Sequence, residues 1–189
     1  MRTLILASVL TCSLSAAELL PVADLDLRLG VGLRGRDVSV TSNGVEDEGS
    51  WERSGRGFAE ALLAPFPGVV GRFLVGLKAI ADRSEDAATD YEVLGVQAEV
   101  GYGLTVVPVL RLELLPYVGV GRATLDTGVD ADDADSFEYG ANLNAVLTRP
   151  GGGLQIGAGV GYARSQSEHG LVEIDQSGPV GAVFIGYRL

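Results

Sequence analysis

The sequence predicts an all-β fold, an eight-stranded antiparallel up-and-down transmembrane β-barrel, on three observations. Past residue 20 the apolar residues recur at every second position, the period of a strand rather than a helix. The connections between candidate strands alternate between long and short. The face opposite the apolar one carries both signs of charge and much of the chain's glycine, 27 residues in all.

The first 17 residues stand apart as a secretory signal peptide. Arg2 supplies the positive start, residues 4–10 the short apolar stretch, and Ser15, Ala16 and Ala17 the small-residue cleavage site, so the mature chain is expected to begin at Glu18. Cys12, the single cysteine, leaves with this segment, and the exported domain has no disulfide to rely on. No later stretch holds 18 consecutive apolar residues, so no membrane helix follows. Residues 18–189 have the size of one domain, the barrel itself.

Eight strands are read in order, at about 24–35, 55–64, 69–81, 91–103, 109–126, 136–148, 154–165 and 178–189. In the first, Leu25, Leu27, Leu29, Val31 and Leu33 share one face and Asp26, Arg28, Gly30, Gly32 and Arg34 the other. The second is the least regular, with Ala59, Ala61 and Leu63 opposite Glu60. The third sets Arg72 and Lys78 on the polar face, and the fourth sets Leu94, Val96, Ala98, Val100 and Tyr102 against Gln97 and Glu99. The fifth contains Pro116, which removes a ladder donor; it is either one long strand with a bulge or a strand that starts near Tyr117. The sixth and seventh alternate cleanly, as Phe137 to Leu147 against Glu138, Asn142 and Asn144, and as Leu154 to Tyr162 against Gln155 and three glycines. The eighth ends the chain on Val183, Ile185, Tyr187 and Leu189.

The long polar connections are residues 36–54, 82–90, 127–135 and 166–177; the short ones are 65–68, 104–108 and 149–153. A meander whose two ends face different compartments has this alternation. Which face is the core follows from the polar one. A membrane barrel turns its apolar face to lipid and fills its lumen with polar and small side chains, and in a narrow eight-stranded barrel those charges can pair while glycine fits the curvature. The aromatics agree: Trp51, Tyr91, Phe137, Tyr139 and Tyr162 are placed near the long-loop rim, and Phe66, Tyr102, Tyr117 and Tyr187 near the short-turn rim, where lipid meets water. Closure accounts for the last strand, because lipid tolerates no unpaired edge and strand eight must pair with strand one.

Two segments carry a resemblance. The terminal Gly186-Tyr187-Arg188-Leu189 with its alternating apolar residues resembles the C-terminal signal of bacterial outer-membrane barrels, though that signal usually ends in Phe or Trp rather than Leu. Residues 116–121, Pro-Tyr-Val-Gly-Val-Gly, resemble a segment of the small OmpA/OmpX-type outer-membrane β-barrel domains. The resemblance implies a monomeric barrel in a Gram-negative-type outer membrane with both termini in the periplasm. It also implies recognition of the last strand by the barrel-insertion machinery.

Motifs that suggest other chemistry are weaker. Residues 30–35 match G-x-G-x-x-G, but no helix follows to face a pyrophosphate; Gly30 and Gly32, like Gly157, Gly159 and Gly161, read as lumen positions. His169, the one histidine, has Ser165, Ser167, Glu168 and Glu173 nearby in sequence, the residue types of a nucleophilic triad, but in an expected loop. Asp126, Asp130, Asp132, Asp133 and Asp135 lack the order and closing Glu of a calcium loop. They leave open a loose divalent bridge to the phosphates of lipopolysaccharide. The expectation is therefore a non-enzymatic outer-membrane protein with a filled, non-porin interior, acidic surface loops and a structural or surface-interaction role. No catalytic, cofactor or metal residue is assigned. The formal net charge of -11 excludes a nucleic-acid binder driven by phosphate contacts. Two alternatives are an outer-membrane lipid-modifying enzyme acting through His169 and a soluble periplasmic barrel that holds a small apolar ligand among inward-facing apolar residues.

Overall fold

A computed structural model describes residues 24–66, 71–86, 89–128 and 131–189; the expected signal peptide and its cleavage site lie outside them. The described residues form ten antiparallel strands: β1 (Asp24–Arg34), β2 (Asp37–Ser42), β3 (Val45–Ser50), β4 (Arg53–Ala64), β5 (Gly71–Asp86), β6 (Thr89–Val107), β7 (Leu110–Asp126), β8 (Ala131–Thr148), β9 (Gly153–His169) and β10 (Val172–Arg188). Eight of them, β1 and β4 to β10, make a ring closed by β1 against β10. That seam runs from Asp26 opposite Arg188 to Arg34 opposite Val180, and the Leu189 N–H adds a 2.9 Å bond to the Leu25 carbonyl. The terminal strand thus pairs with the first, as closure in lipid demands.

The eight expected strands correspond to the ring, but three of the expected loops are strand. β5 runs to Asp86 and β6 starts at Thr89, β8 starts at Ala131, and β9 and β10 are joined by Gly170 and Leu171 alone, with Gly170 at φ 60°. The fourth, residues 36–54, folds as the β2–β3 hairpin and lies along the upper part of β10, Val40 opposite Ile174. Asn43 and Gly44, both at positive φ, turn it, as the two central residues of a I′ hairpin require. The apolar alternation ends where the outer face leaves the apolar band, while the backbone ladder, which needs no particular side chain, continues.

Pro116 leaves β7 continuous. The β6–β7 ladder passes from Glu99 opposite Tyr117 to Tyr102 opposite Leu114 in one register, skipping the two pairs between; on the β8 side Pro116 still pairs with Ala141. Proline's missing N–H costs pairing on one flank only. The bulge lies instead on β6, between Thr105 and Val107, beside the turn that leads into β7.

The inside-out assignment holds. Leu29, Val31 and Leu33 point outward while Asp26, Arg28 and Arg34 are buried, and on β7 Leu112, Leu114, Val118 and Val120 are exposed between buried Arg111, Glu113 and Tyr117. A soluble ligand barrel needs the reverse parity and is ruled out as a reading of these faces. On β8 the outward apolar run from Phe137 to Leu147 covers about 33 Å of strand, or about 25 Å along the axis at a tilt of about 40°.

The aromatic rims are thinner than expected. Phe66, Tyr102 and Tyr187 at the short-turn end and Phe137, Tyr139 and Tyr162 at the other are exposed, but Trp51, Tyr91 and Tyr117 are buried inside. Strand parity decides this: Tyr91 shares its face with buried Val93, and Tyr117 with buried Leu115. Trp51 and Tyr91 stack with centroids 5.8 Å apart and join Val93, Ala123 and Ile174 in a cluster at the long end of the lumen.

Candidate functional site

The lumen is packed with charge in two tiers. Toward the short-turn end, Arg28 on β1 reaches Glu113 on β7 through Nη1 at 2.7 Å and Nη2 at 2.8 Å, and its Nη1 also donates to Glu60 on β4 at 3.0 Å. Lys78 on β5 bridges Glu60 at 2.9 Å and Glu99 on β6 at 2.7 Å. Asp26 receives Arg111 at 2.6 Å, Arg188 at 2.8 Å and the Gln155 amide at 2.8 Å. Four bases therefore face four acids, and their side chains are nearly or fully buried. Phe58 and Phe184 cross edge to face beside this tier, the first under Lys78 and the second under Arg28, each cation 4.9 Å from a ring centre.

The second tier lies nearer the long end. Arg56 grips Asp82 with Nε at 2.7 Å and Nη2 at 2.6 Å and reaches Glu138 at 2.8 Å. Arg34 joins the same two carboxylates, Glu138 at 2.8 Å. Gln97 at 2.7 Å and the Tyr117 hydroxyl at 3.0 Å also donate to Glu138. Two arginines thus balance two acids. Buried ions persist only when paired and hydrogen-bonded, and both tiers meet that condition. The polar face read from the sequence included Asp26, Arg28, Arg34, Glu60, Arg72, Lys78, Gln97, Glu99, Glu138, Asn142, Asn144 and Gln155. It missed Arg56, Asp82, Arg111 and Glu113. Arg111 and Glu113 were legible, since they alternate with Leu110, Leu112 and Leu114.

Two spaces in the lumen are water-sized. One of about 30 Å³ touches Phe58, Lys78, Asn144 and Phe184, and another of about 10 Å³ lies between Gln97 and Glu138. The lumen is filled rather than open.

A closed ring, an apolar exterior and a charge-balanced interior decide the architecture. The chain has the fold of the small eight-stranded outer-membrane β-barrels. No family model and no curated protein sequence matches it. Among solved structures it is similar to Neisserial surface protein A (NspA), at TM-score 0.54 and 15% identity over 87% of this chain and 96% of that one. It is also similar to Ail, the attachment invasion locus protein of Yersinia pestis, at TM-score 0.48 and 14% identity over 88% of this chain and 99% of that one.

Because the barrel's lumen is balanced, its net negative charge lies outside the tiers, and nearly all of it at the long end. There the described residues include Asp37, Glu46, Asp47, Glu48, Glu85, Asp86, Asp90 and Glu92, with Asp126, Asp132, Asp133 and Asp135 on the other side of the mouth. The arginines among them are Arg36, Arg53, Arg83, Arg122 and Arg164. Asp130 of the acidic stretch at 126–136 lies outside the described residues. Asp126 accepts the Gly128 N–H at 2.8 Å, and Asp133 accepts the Thr124 hydroxyl at 2.7 Å and Arg122 at 3.3 Å. No three His, Cys, Asp or Glu side chains converge on a metal position among the described residues.

His169 is not in a loop but ends β9, buried in the lumen mouth. Its Nε2 lies 3.2 Å from Ser167 Oγ, which is 2.9 Å from the Tyr91 hydroxyl. Nδ1 has no hydrogen-bond partner among the described residues, whereas a triad needs an acid there. Ser167 and His169 face inward together, away from lipid, and the neighbouring Glu168 and Glu173 take the opposite parity. The nucleotide-like Gly30 and Gly32 are wall positions: a Cβ at Gly30 would overlap the Phe58 ring, and one at Gly157 the Phe184 ring.

Proposed function

We propose that this protein is a monomeric outer-membrane surface protein whose acidic rim meets the exterior, with a structural or surface-interaction role and no catalysis. The observation that carries this is the separation of charge. The lumen neutralises itself, the wall is apolar, and the unbalanced carboxylates stand at one end beyond the lipid band. A filled lumen argues against transport through it. Similarity in fold to a Neisserial surface protein supports the same placement. In this reading the wall contacts outer-membrane lipid, and the rim meets lipopolysaccharide phosphates through divalent cations, since like charges repel without them. The barrel-insertion machinery engages β10, and the signal peptide directs export.

The test is band mobility on a denaturing gel, with and without boiling, of protein extracted from the membrane fraction, together with protease treatment of whole cells. A shift on boiling with clipping at the long end is expected. Recovery in the soluble periplasm without a shift overturns the proposal.

A further inference from the structure

The β2–β3 hairpin and the barrel wall border an open cleft of about 700 Å³ on the outer surface. Register places all of its residues but Val38 and Gly49 on one face. Ser39 lies opposite both Asp175 and Glu48, and Arg164 lies opposite both Ser177 and Tyr139. One wall presents Asp37, Glu46 and Glu48; the other presents Tyr139 and Tyr162. Arg164, the only cation lining the cleft among the described residues, is occupied by Asp175, which accepts Nε at 2.9 and 3.1 Å and also pairs with Nη2. Glu46 accepts only the Ser39 hydroxyl, at 2.7 Å. No ion pair engages Asp37, Glu46 or Glu48 among the described residues, so the cleft keeps an uncompensated negative wall facing two aromatic rings.

We propose that this cleft binds an extended alkylammonium ligand, the chemistry shared by a free linear polyamine and a lysine-bearing peptide segment. Carboxylates spread along a hairpin suit several ammonium groups in a row rather than one metal ion, for which no converging set exists. Tyrosine rings take methylene stems against their faces and draw the cation by their quadrupole. The tied Arg164 offers no free charge to an anion. Tyr162 is the last apolar residue of the outer face on β9 and Tyr139 lies next below Phe137 on β8, so the cleft opens at the upper edge of the apolar band. Its access from outside rests on the orientation proposed above.

The test is calorimetric titration of spermine into the folded barrel in zwitterionic detergent at low salt. Saturable binding is expected. It should weaken tenfold or more in the triple variant Asp37→Asn, Glu46→Gln, Glu48→Gln and in Tyr162→Ala. It should change less than twofold in Asp132→Asn, Asp135→Asn across the mouth. A gel shift on boiling certifies that each variant is folded. Tetralysine titrated alongside distinguishes the sources, the tighter binder naming the natural one. Equal weakening in the cleft and control variants, or magnesium binding at the same residues with no spermine site, overturns the proposal. Because micelles expose both ends, a negative result condemns the cleft alone; protease treatment of cells tests the orientation separately.

Discussion

Arg28 and Glu113 stand on opposite walls of the ring, β1 and β7, and meet across the lumen in a two-pronged ion pair of 2.7 and 2.8 Å. No backbone hydrogen bond joins these strands, so the pair ties the barrel across its diameter. The fork geometry is one that lysine cannot supply.

Replacing Arg28 with Ala leaves Glu113 with Arg111 and Glu60 with Lys78, so the tier keeps one uncompensated acid in a buried interior. Loss of one partner of a buried pair costs about 3–5 kcal/mol, and urea unfolding of the lipid-reconstituted barrel should show a loss of that size. The double variant with Glu113→Ala should be less destabilised than the two single losses added together. Additive losses would show that the pair carries no coupling.

Phe184 occupies the space left by Gly157, its register partner on β9. Gly157→Ala therefore overpacks the lumen, and such overpacking costs about 1–3 kcal/mol. Gly151→Ala lies in a turn with open space around it, where only its φ of 90° is strained. A lowered unfolding midpoint is expected for Gly157→Ala, and Phe184→Leu in the same chain should recover part of it.

Leu143 faces outward near the middle of the apolar band on β8. Leu143→Arg should destabilise the barrel by about 2–4 kcal/mol in bilayers, the cost of a cation at the midplane. Asn144, one residue on, faces the lumen, so the parity itself is testable: Asn144→Leu should not behave as a gain in lipid contact.

Trp51 is the only tryptophan in the chain and is buried against Tyr91. Its emission should be blue-shifted in the folded barrel and shielded from iodide, then exposed on unfolding. Free quenching in the folded state would contradict the stacked mouth.

Asp133 is exposed, and the Thr124 hydroxyl and Arg122 hold its carboxyl below the usual range. A folded pKa below the unfolded one, about 3.9, gives stability that is present above that value and lost as pH falls through the folded pKa. Asp133→Asn should flatten the dependence of unfolding on pH between about 5 and 2. Unchanged slopes would remove this interaction from the rim's acid response.

The sequence by itself determined the class, the strand number of the ring, the inverted faces and the closure. Each is a consequence of period two and of lipid's refusal of unpaired backbone groups, and Leu29, Val31 and Leu33 against Arg28 and Arg34 already state it. The tertiary structure alone decided where the sheet ends, because a ladder beyond the lipid band needs no apolar face to mark it. Alternating Val38 and Val40 followed by Asn43-Gly44 were the local signs of the extra hairpin. The partners inside the lumen likewise depend on the ring. Arg28 and Glu113 are 85 residues apart, and only closure of the sheet sets them on facing walls. The cleft beside β2 and β3 arises the same way, from residues of five strands brought together only after β10 has chosen its second neighbour.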